Sequence, residues 1–327
     1  MDESAVKILV ASVAVSFALG FGTAMMLQSP EPEPLSPAAG TSPPQAVGQA
    51  PSAGTPLAWT AHQPAGARTG GLPANASVDE LWARALLPPD RREAGYDAED
   101  RLRKRAHSDP AALRSLLSRY SPVQSVQERE LLKSILSTVQ APDVIAFSTR
   151  LAASSNAAER KYGFELLQSV APEAPETRSL VRRTLQGEQS PEVLVQAIGT
   201  LQAGGADPEE SAAVVGQLKT LSQHPDPAVR SISVQQLGQW DRTGEAAERL
   251  VQALSDRVPE VRQAAVFAIA QSSVRSDLAK AALVARVNDP QEVREVRGSA
   301  LQALERFALS QEEYASVAQT RAQLRGL

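Results

Sequence analysis

After residue 100 this chain sets a short capping residue directly before a proline six times: Asp109-Pro110, Ser121-Pro122, Ser190-Pro191, Asp207-Pro208, Asp226-Pro227 and Asp289-Pro290. Asp or Ser at an N-cap accepts one of the free N–H groups of a helix's first turn, and proline suits the first helical position, where no N–H is needed. An apolar stretch follows each pair, so each predicts a helix start. Starts that recur at a near-constant period predict a helical repeat array. A lone pair of short helices cannot bury its apolar stripe, so the copies must stack into an α-solenoid.

The clearest first helices begin at Pro191, Pro227, Pro259 and Pro290. The valines that follow, Val193, Val229, Val261 and Val293, are 36, 32 and 32 residues apart. Val261, Ala264, Ala265, Ala268 and Ile269 keep the i, i+3, i+4, i+7, i+8 spacing of one buried helix face. Weaker copies lie at 158–167 and 126–136. Aligning Ala158 with Val261 places Phe164 at the position of Phe267. Short breaks such as Asp241 to Gly244 end the first helices, and second helices are predicted over 208–223, 245–255, 276–287 and 310–324. A capping box, Ser310-x-x-Glu313, opens the last of these, and another, Ser77-x-x-Glu80, opens a helix ahead of the array with Leu81, Trp82, Ala85 and Leu86 on its apolar side. About seven pairs fit between residues 92 and 327.

The run Asp-Pro-x-x-Val-Arg followed by Ala- and Leu-rich helices, carried best by Asp226 to Leu237, Asp256 to Ile269 and Asp289 to Leu304, resembles HEAT repeats, in particular the short bilin-lyase-like kind. The resemblance implies an all-α fold, an α-solenoid of HEAT-like helix pairs over residues 76–327. It also implies a structural ladder of Asp226 with Arg230, Asp256 with Arg262 and Asp289 with Arg294. That ladder should fade where Ser190 and Leu194 replace both members. In such solenoids second helices line the concave face. Arg178, Arg182 and Arg183, on a second helix with only Glu176 nearby in sequence, are then the candidate partner-binding patch.

The N-terminus is of a different kind. Ile8 to Leu27 is twenty residues without a charge, long enough to cross the roughly 30 Å hydrocarbon core as a helix. Lys7 precedes it and Glu31 and Glu33 follow, so residues 1–7 are expected in the cytoplasm and the remainder across a bacterial inner membrane, with the solenoid in the periplasm. Residues 8–27 then act as a transmembrane signal anchor. The alternative is a cleaved signal peptide, with Gly22-Thr23-Ala24 as one small-x-small site and a soluble periplasmic product. Ser16, Gly20 and Ala24 stand four apart, a stripe that permits close helix packing and a homodimer within the membrane. Residues 28–75 form a Pro-rich linker expected to be disordered. Ten prolines fall between Gln28 and Pro73, and only Glu31, Glu33 and Arg68 carry charge.

Candidate chemistry is sparse. The absence of cysteine removes disulfides, thiol catalysis and thiolate metal sites. His62, His107 and His224 are far apart, and none has a second ligand at metal-binding spacing. Glu209-Glu210 and Glu312-Glu313 fall in first helical turns, where negative charge suits the helix dipole. No nucleophile, zincin or phosphate-loop motif is present in the soluble part. No catalytic, cofactor-binding or metal residue is therefore assigned. Arg101, Arg103, Lys104 and Arg105 form the densest basic cluster, but Asp97, Glu99 and Asp100 stand four residues before three of them and predict a salt-bridged face. A net charge of −4 and 4% aromatic residues give no basis for nucleic-acid binding. The expected function is a membrane-anchored, exported protein–protein interaction scaffold with another cell-envelope protein as partner. A lyase-type enzyme on the same scaffold is the more distant alternative.

Overall fold

The computed structural model describes residues 72–87 and 92–325. The apolar run at 8–27, including Ser16, Gly20 and Ala24, and the Pro-rich stretch up to residue 71 lie outside the described residues. Among the described residues there are fifteen α-helices and no strand. In chain order they are α1 (Val78–Ala85), α2 (Arg92–Ser108), α3 (Pro110–Leu117), α4 (Val126–Leu136), α5 (Pro142–Ala152), α6 (Ala157–Val170), α7 (Pro175–Gly187), α8 (Pro191–Gly199), α9 (Pro208–Leu221), α10 (Pro227–Trp240), α11 (Ala247–Ala253), α12 (Pro259–Gln271), α13 (Asp277–Asn288), α14 (Arg294–Leu304) and α15 (Gln311–Arg325).

Seven pairs, α2–α3 through α14–α15, follow α1. First helices stack on first helices: α6 on α8, α8 on α10, α10 on α12 and α12 on α14. Second helices form a parallel row, with α3 on α5, α5 on α7, α7 on α9, α11 on α13 and α13 on α15. The rows are knitted where second helices from α5 onward meet the next pair's first helix, as α5 does α6, α9 does α10 and α13 does α14. Helix α1 occupies the second-helix place ahead of α2. Arg119 holds it there by pairing with Asp79 and lying over the Trp82 ring at 5.1 Å. Arg101 donates to the Leu72, Pro73 and Ala74 carbonyls, fixing the strand of chain that leads into α1.

Four of the six capping residue–proline pairs start helices. Asp109, Ser190, Asp207 and Asp226 each accept a first-turn N–H from α3, α8, α9 and α10, with proline at the first position. The other two do not. Ser121-Pro122 lies in a turn, and α4 begins at Val126 behind a capping box in which Ser125 and Glu128 bond each other's backbone N–H. Asp289-Pro290 is likewise a turn, with Asp289 accepting from the Gln291 N–H at 2.9 Å, and α14 starts only at Arg294. The Glu292 carboxylate, drawn onto Arg262 of the previous pair and onto the Val293 N–H, keeps these residues out of the helix. The boxes at Ser77–Glu80 and Ser310–Glu313 both form.

The repeat register differs by one residue from the alignment of Ala158 with Val261. Arg160 is the fourth residue of α6, as Arg262 is of α12, so Glu165 and not Phe164 corresponds to Phe267. Burial agrees: Phe164 is fully enclosed, whereas Phe267 is 44% exposed.

Buried side chains form two clusters that meet at α5 and α6. Tyr162, Leu166 and Val170 face the earlier pairs, where Tyr120 packs against Phe147 and Tyr162 at ring separations of 5.6 and 5.0 Å. Phe164 and Leu167, on the other side of α6, belong to the cluster that runs on to Val317. Two glycines allow the closest approaches. A Cβ on Gly163 would lie 2.3 Å from the Ala152 nitrogen of α5, and one on Gly238 would lie 2.6 Å from the Ala268 Cα of α12. Either contact would force backbone apart. Gly163→Ala and Gly238→Ala are each expected to cost about 1–3 kcal/mol through overpacking. Gly216→Ala, on an open face of α9 with nothing within 4 Å, is expected to gain about 0.5–1 kcal/mol from helix propensity. Thermal melts of the three variants check both signs; a Gly238→Ala protein as stable as its parent would contradict the packing.

Candidate functional site

One long edge of the array, where second helices turn into the next first helices, carries its most regular side-chain chemistry. At α6, α10, α12 and α14 the side chain of the fourth residue reaches this edge. That residue is arginine at α4, α6, α10, α12 and α14, and at α6, α10 and α12 the three arginines do the same thing. Arg160 donates from Nε and Nη2 to the Glu188 carboxylate at 2.6 and 2.9 Å. Its other nitrogen reaches the Ser154 and Ser155 carbonyls. Arg230 grips Asp256 at 2.8 and 2.9 Å and bonds the His224 and Pro225 carbonyls. Arg262 holds Glu292, with Nε to Oε2 at 2.7 Å, and bonds the Asp256 carbonyl at 2.7 Å. Each guanidinium thus ties the loop before its own helix to the loop before the next first helix, through the bidentate geometry arginine favours.

Glu292 is buried and the other two carboxylates are largely covered: side-chain exposure is 7% for Glu188, 15% for Asp256 and 0% for Glu292. Burial alone pushes each carboxyl up. The arginine bonds and a neighbouring backbone N–H outweigh it, so all three sit below the ordinary carboxylate range. Asp241 reaches the same state without a cation. Burial opposes its charge, but it accepts from the Ala246, Gly244 and Thr243 N–H groups and the Thr243 hydroxyl, which close the break before α11.

The ladder expected from the sequence is rearranged. Asp256 is the acceptor for Arg230, one pair earlier, rather than the partner of Arg262. Asp226 caps its own helix, accepting from the Ala228 and Val229 N–H groups. Asp289 lies 3.5 Å from Arg286, and Glu292 takes the ladder position because the turn after Pro290 carries its side chain inward. Arg294 is outside the ladder and donates to the Leu324 carbonyl at 2.7 Å. The fourth-residue arginine of α14 is Arg297, which bonds the Val287 carbonyl. At α8 the position is Leu194, buried at 1% exposure, and no rung forms. The ladder resumes one pair earlier with Arg160 and Glu188. Counting back from the fourth-residue arginine would have found Arg160; no local signal marks Glu188 or Glu292 as its kind of partner.

Arg178, Arg182 and Arg183 lie on α7 of the second-helix row. Two of them are committed to a carboxylate that sequence proximity did not reveal. Glu210 of α9 is 3.3 Å from Arg178 Nε and 3.8 Å from Arg182 Nε, and Arg178 also donates to the Glu173 carbonyl at 2.5 Å. Arg183 is exposed and borders a shallow groove of about 540 Å³ that also touches Arg160 and Glu188. Three of the four basic residues of the α2 cluster are paired: Asp97–Arg101 at 3.7 Å, Glu99–Arg103 at 2.7 Å and Asp100–Lys104 at 2.6 Å. His224 Nδ1 accepts from the Asp226 N–H, and His107 stands 3.4 Å from the Thr138 hydroxyl; His62 lies outside the described residues. Among the described residues no three His, Cys, Asp or Glu side chains are placed to hold a metal, and no helix is long and apolar enough to cross a membrane.

Residues 215–305 match the family model of HEAT repeats. That span runs from the end of α9 through α14 and contains the rungs at Arg230 and Arg262. Among curated proteins none matches the sequence. Solved structures that resemble the chain include the Escherichia coli protein YibA, at 19% identity over 64% of this chain and 73% of that one, with a TM-score of 0.50. An engineered protein matches at 16% identity over 74% of this chain and 71% of its own, with a TM-score of 0.43. The CpcE–CpcF complex of phycocyanin lyase from Nostoc sp. PCC7120 matches at 16% identity over 80% and 97%, with a TM-score of 0.37. The described residues are an all-helical, HEAT-like repeat scaffold.

Removing one rung partner leaves a buried charge unpaired, which costs far more than the net worth of the pair. Arg262→Ala should lower stability by about 3 kcal/mol, while Lys104→Ala, in an exposed pair, should melt with the parent. Equal melting temperatures for the two variants would mean that the ladder contributes nothing. Acid should act through the same groups. Because the three carboxyls are depressed in the folded state, the unfolded chain takes up protons first as pH falls. Stability is therefore complete above about pH 5 and is lost progressively below about pH 4. Melting temperatures between about pH 3 and 7 should trace that fall, and Arg262→Ala should flatten it.

Proposed function

We propose that this protein is a membrane-anchored, exported scaffold whose HEAT-like solenoid binds another protein of the cell envelope. The observation that carries the binding role is the array itself. Seven stacked pairs present the same side-chain positions again and again along two open helix rows. Repeated surfaces of this kind suit extended recognition of a macromolecule better than enclosure of a small one. The uncharged run Ile8 to Leu27, with Lys7 before it, supports the anchor and its orientation. The Pro-rich stretch after it supports a spacer that holds the solenoid away from the bilayer. Ser16, Gly20 and Ala24 support self-association of the anchor. On the second-helix row, Arg183 is the candidate contact that remains free of an acidic partner among the described residues, with Arg178 and Arg182 tempered by Glu210.

Two experiments separate the parts of this reading. A reporter active only in the cytoplasm, fused to the C-terminus, should be silent, and the protein should leave the membrane fraction only with detergent. Reporter activity would overturn export; release by salt or buffer alone would favour the cleaved, soluble form. Crosslinking in intact cells followed by purification of the full chain should then yield one envelope protein in reproducible stoichiometry. Recovery of the chain alone would remove the scaffold role.

A further inference from the structure

The first-helix row changes character along its length. In α8, α10, α12 and α14 every charged residue falls within the first four positions. Of those charges, Arg230 and Arg262 are consumed by the ladder. Beyond them the four helices carry no charge at all. The equivalent stretches of α4 and α6 are charged and cross-linked, with Lys133 bonded to Glu130 and Glu165. Second helices stay charged to the end of the chain, through pairs such as Lys280–Glu313.

Residues five, nine and thirteen of a helix lie one above another on one face. On α10 these include Gln235 and Gln239; on α12 they are Gln263, Phe267 and Gln271; on α14 Gln302 continues the line. All six are at least partly exposed. Gln263 donates to the Ser299 hydroxyl at 2.6 Å; no bond occupies the side-chain amides of Gln235, Gln239, Gln271 or Gln302 among the described residues. Phe267 stands among these amides at 44% exposure.

We propose that this uncharged face binds an extended, uncharged peptide segment of a partner protein. The inference rests on the scaffold reading and assigns its surface. A carboxamide both donates and accepts, which is what an extended backbone requires, since its N–H and C=O groups alternate. Stacked helices are about 8–10 Å apart, and an extended chain advances about 3.3 Å per residue. Neighbouring first helices are therefore about three peptide residues apart, and the three intervals between the four helices span about nine. Phe267 supplies the apolar anchor near the middle, as aromatic residues commonly do at interfaces. A charged segment would lose hydration against these helices without an opposite charge on them; the cations beyond the helix ends, Arg242 and Arg306, are turned onto the Ala203 and Ala270 carbonyls. A neutral one covers the face at no ionic cost.

The test is an array of synthetic decapeptides built from Ser, Pro, Ala, Gln and Leu, alongside matched sets in which four positions are Glu or Lys. The full chain, kept in detergent, is the probe, and retained peptides are titrated by fluorescence anisotropy. Uncharged peptides should be retained. Their affinity should change by less than about twofold between low and high salt, since no ion pair is screened. Phe267→Ala, and separately the double variant Gln235→Glu/Gln271→Glu, should each weaken binding at least about tenfold, with circular dichroism unchanged. Lys219→Ala, on the second-helix row, should bind as the parent does. Retention of no uncharged peptide, preference for the charged sets, or indifference to both face variants overturns the assignment. So does light scattering in which the face variants dissolve a dimer while peptide binding is absent, because a second copy is then the occupant. If the crosslinked envelope partner is still captured by the Phe267→Ala chain, the scaffold reading stands and only this surface falls.

Discussion

No helix pair of this protein covers its own apolar stripe, and the next pair covers what is left. Everything else depends on that nearest-neighbour burial. It explains why the closest approaches in the molecule run between successive pairs, at Gly163 against α5 and Gly238 against α12, where even a methyl group has no room. It also explains why the arginine rungs sit at the loops. Stacking fixes helices side by side but leaves the connecting turns free to slide, and Arg160, Arg230 and Arg262 each bind two consecutive turns at once. The rung is a device for register more than a source of net stability, since a buried ion pair roughly breaks even against well-packed apolar groups. Leu194 makes the point within the same molecule: the arginine is gone, the position is filled by a buried leucine, and α8 still stacks on both α6 and α10.

What was legible in the sequence is what is decided locally. A cap is an interaction over two or three residues, so Ser77, Asp109, Asp207 and Ser310 announce their helices without knowledge of the fold. The three acid-to-base pairs on α2 are legible for the same reason. The choice of ladder partner is made across 26 to 30 residues, by whichever carboxylate the stacked loop carries inward. Glu188, Asp256 and Glu292 are three different solutions to one geometric demand. A motif copied from repeat to repeat assigned that role to Asp226 and Asp289, which in fact serve their own turns. Glu210 is legible as a first-turn acid but not as the partner of Arg178, because α9 brings it there from 32 residues away, in a row that sequence order does not display.

The same separation between local and stacked interactions divides the surface by charge. Second helices and the turns leading into them carry charges that satisfy one another between neighbours: Arg178 with Glu210, Lys219 with Glu245, Lys280 with Glu313. Such pairs contribute little each, but Glu210 ties up Arg178 and Arg182, which is why the arginines on α7 are a weaker attractor for an acidic partner than their spacing suggests. From α8 onward first helices confine their charges to the opening turn and have none left for the outer face.

Stability does not demand that neutrality. Exposed helical positions are served as well by lysine and glutamate as by glutamine, and salt-bridged charges fill them at α4 and α6 of this same chain. Still less does folding call for Phe267. Phenylalanine is a weaker helix former than the glutamines around it, and at 44% exposure its ring leaves much of its apolar surface in water. One register position earlier, Val266 is buried and does the packing work of α12. Phe267 neither caps nor pairs, and its place on an uncharged, amide-lined row fits the anchor role proposed for it.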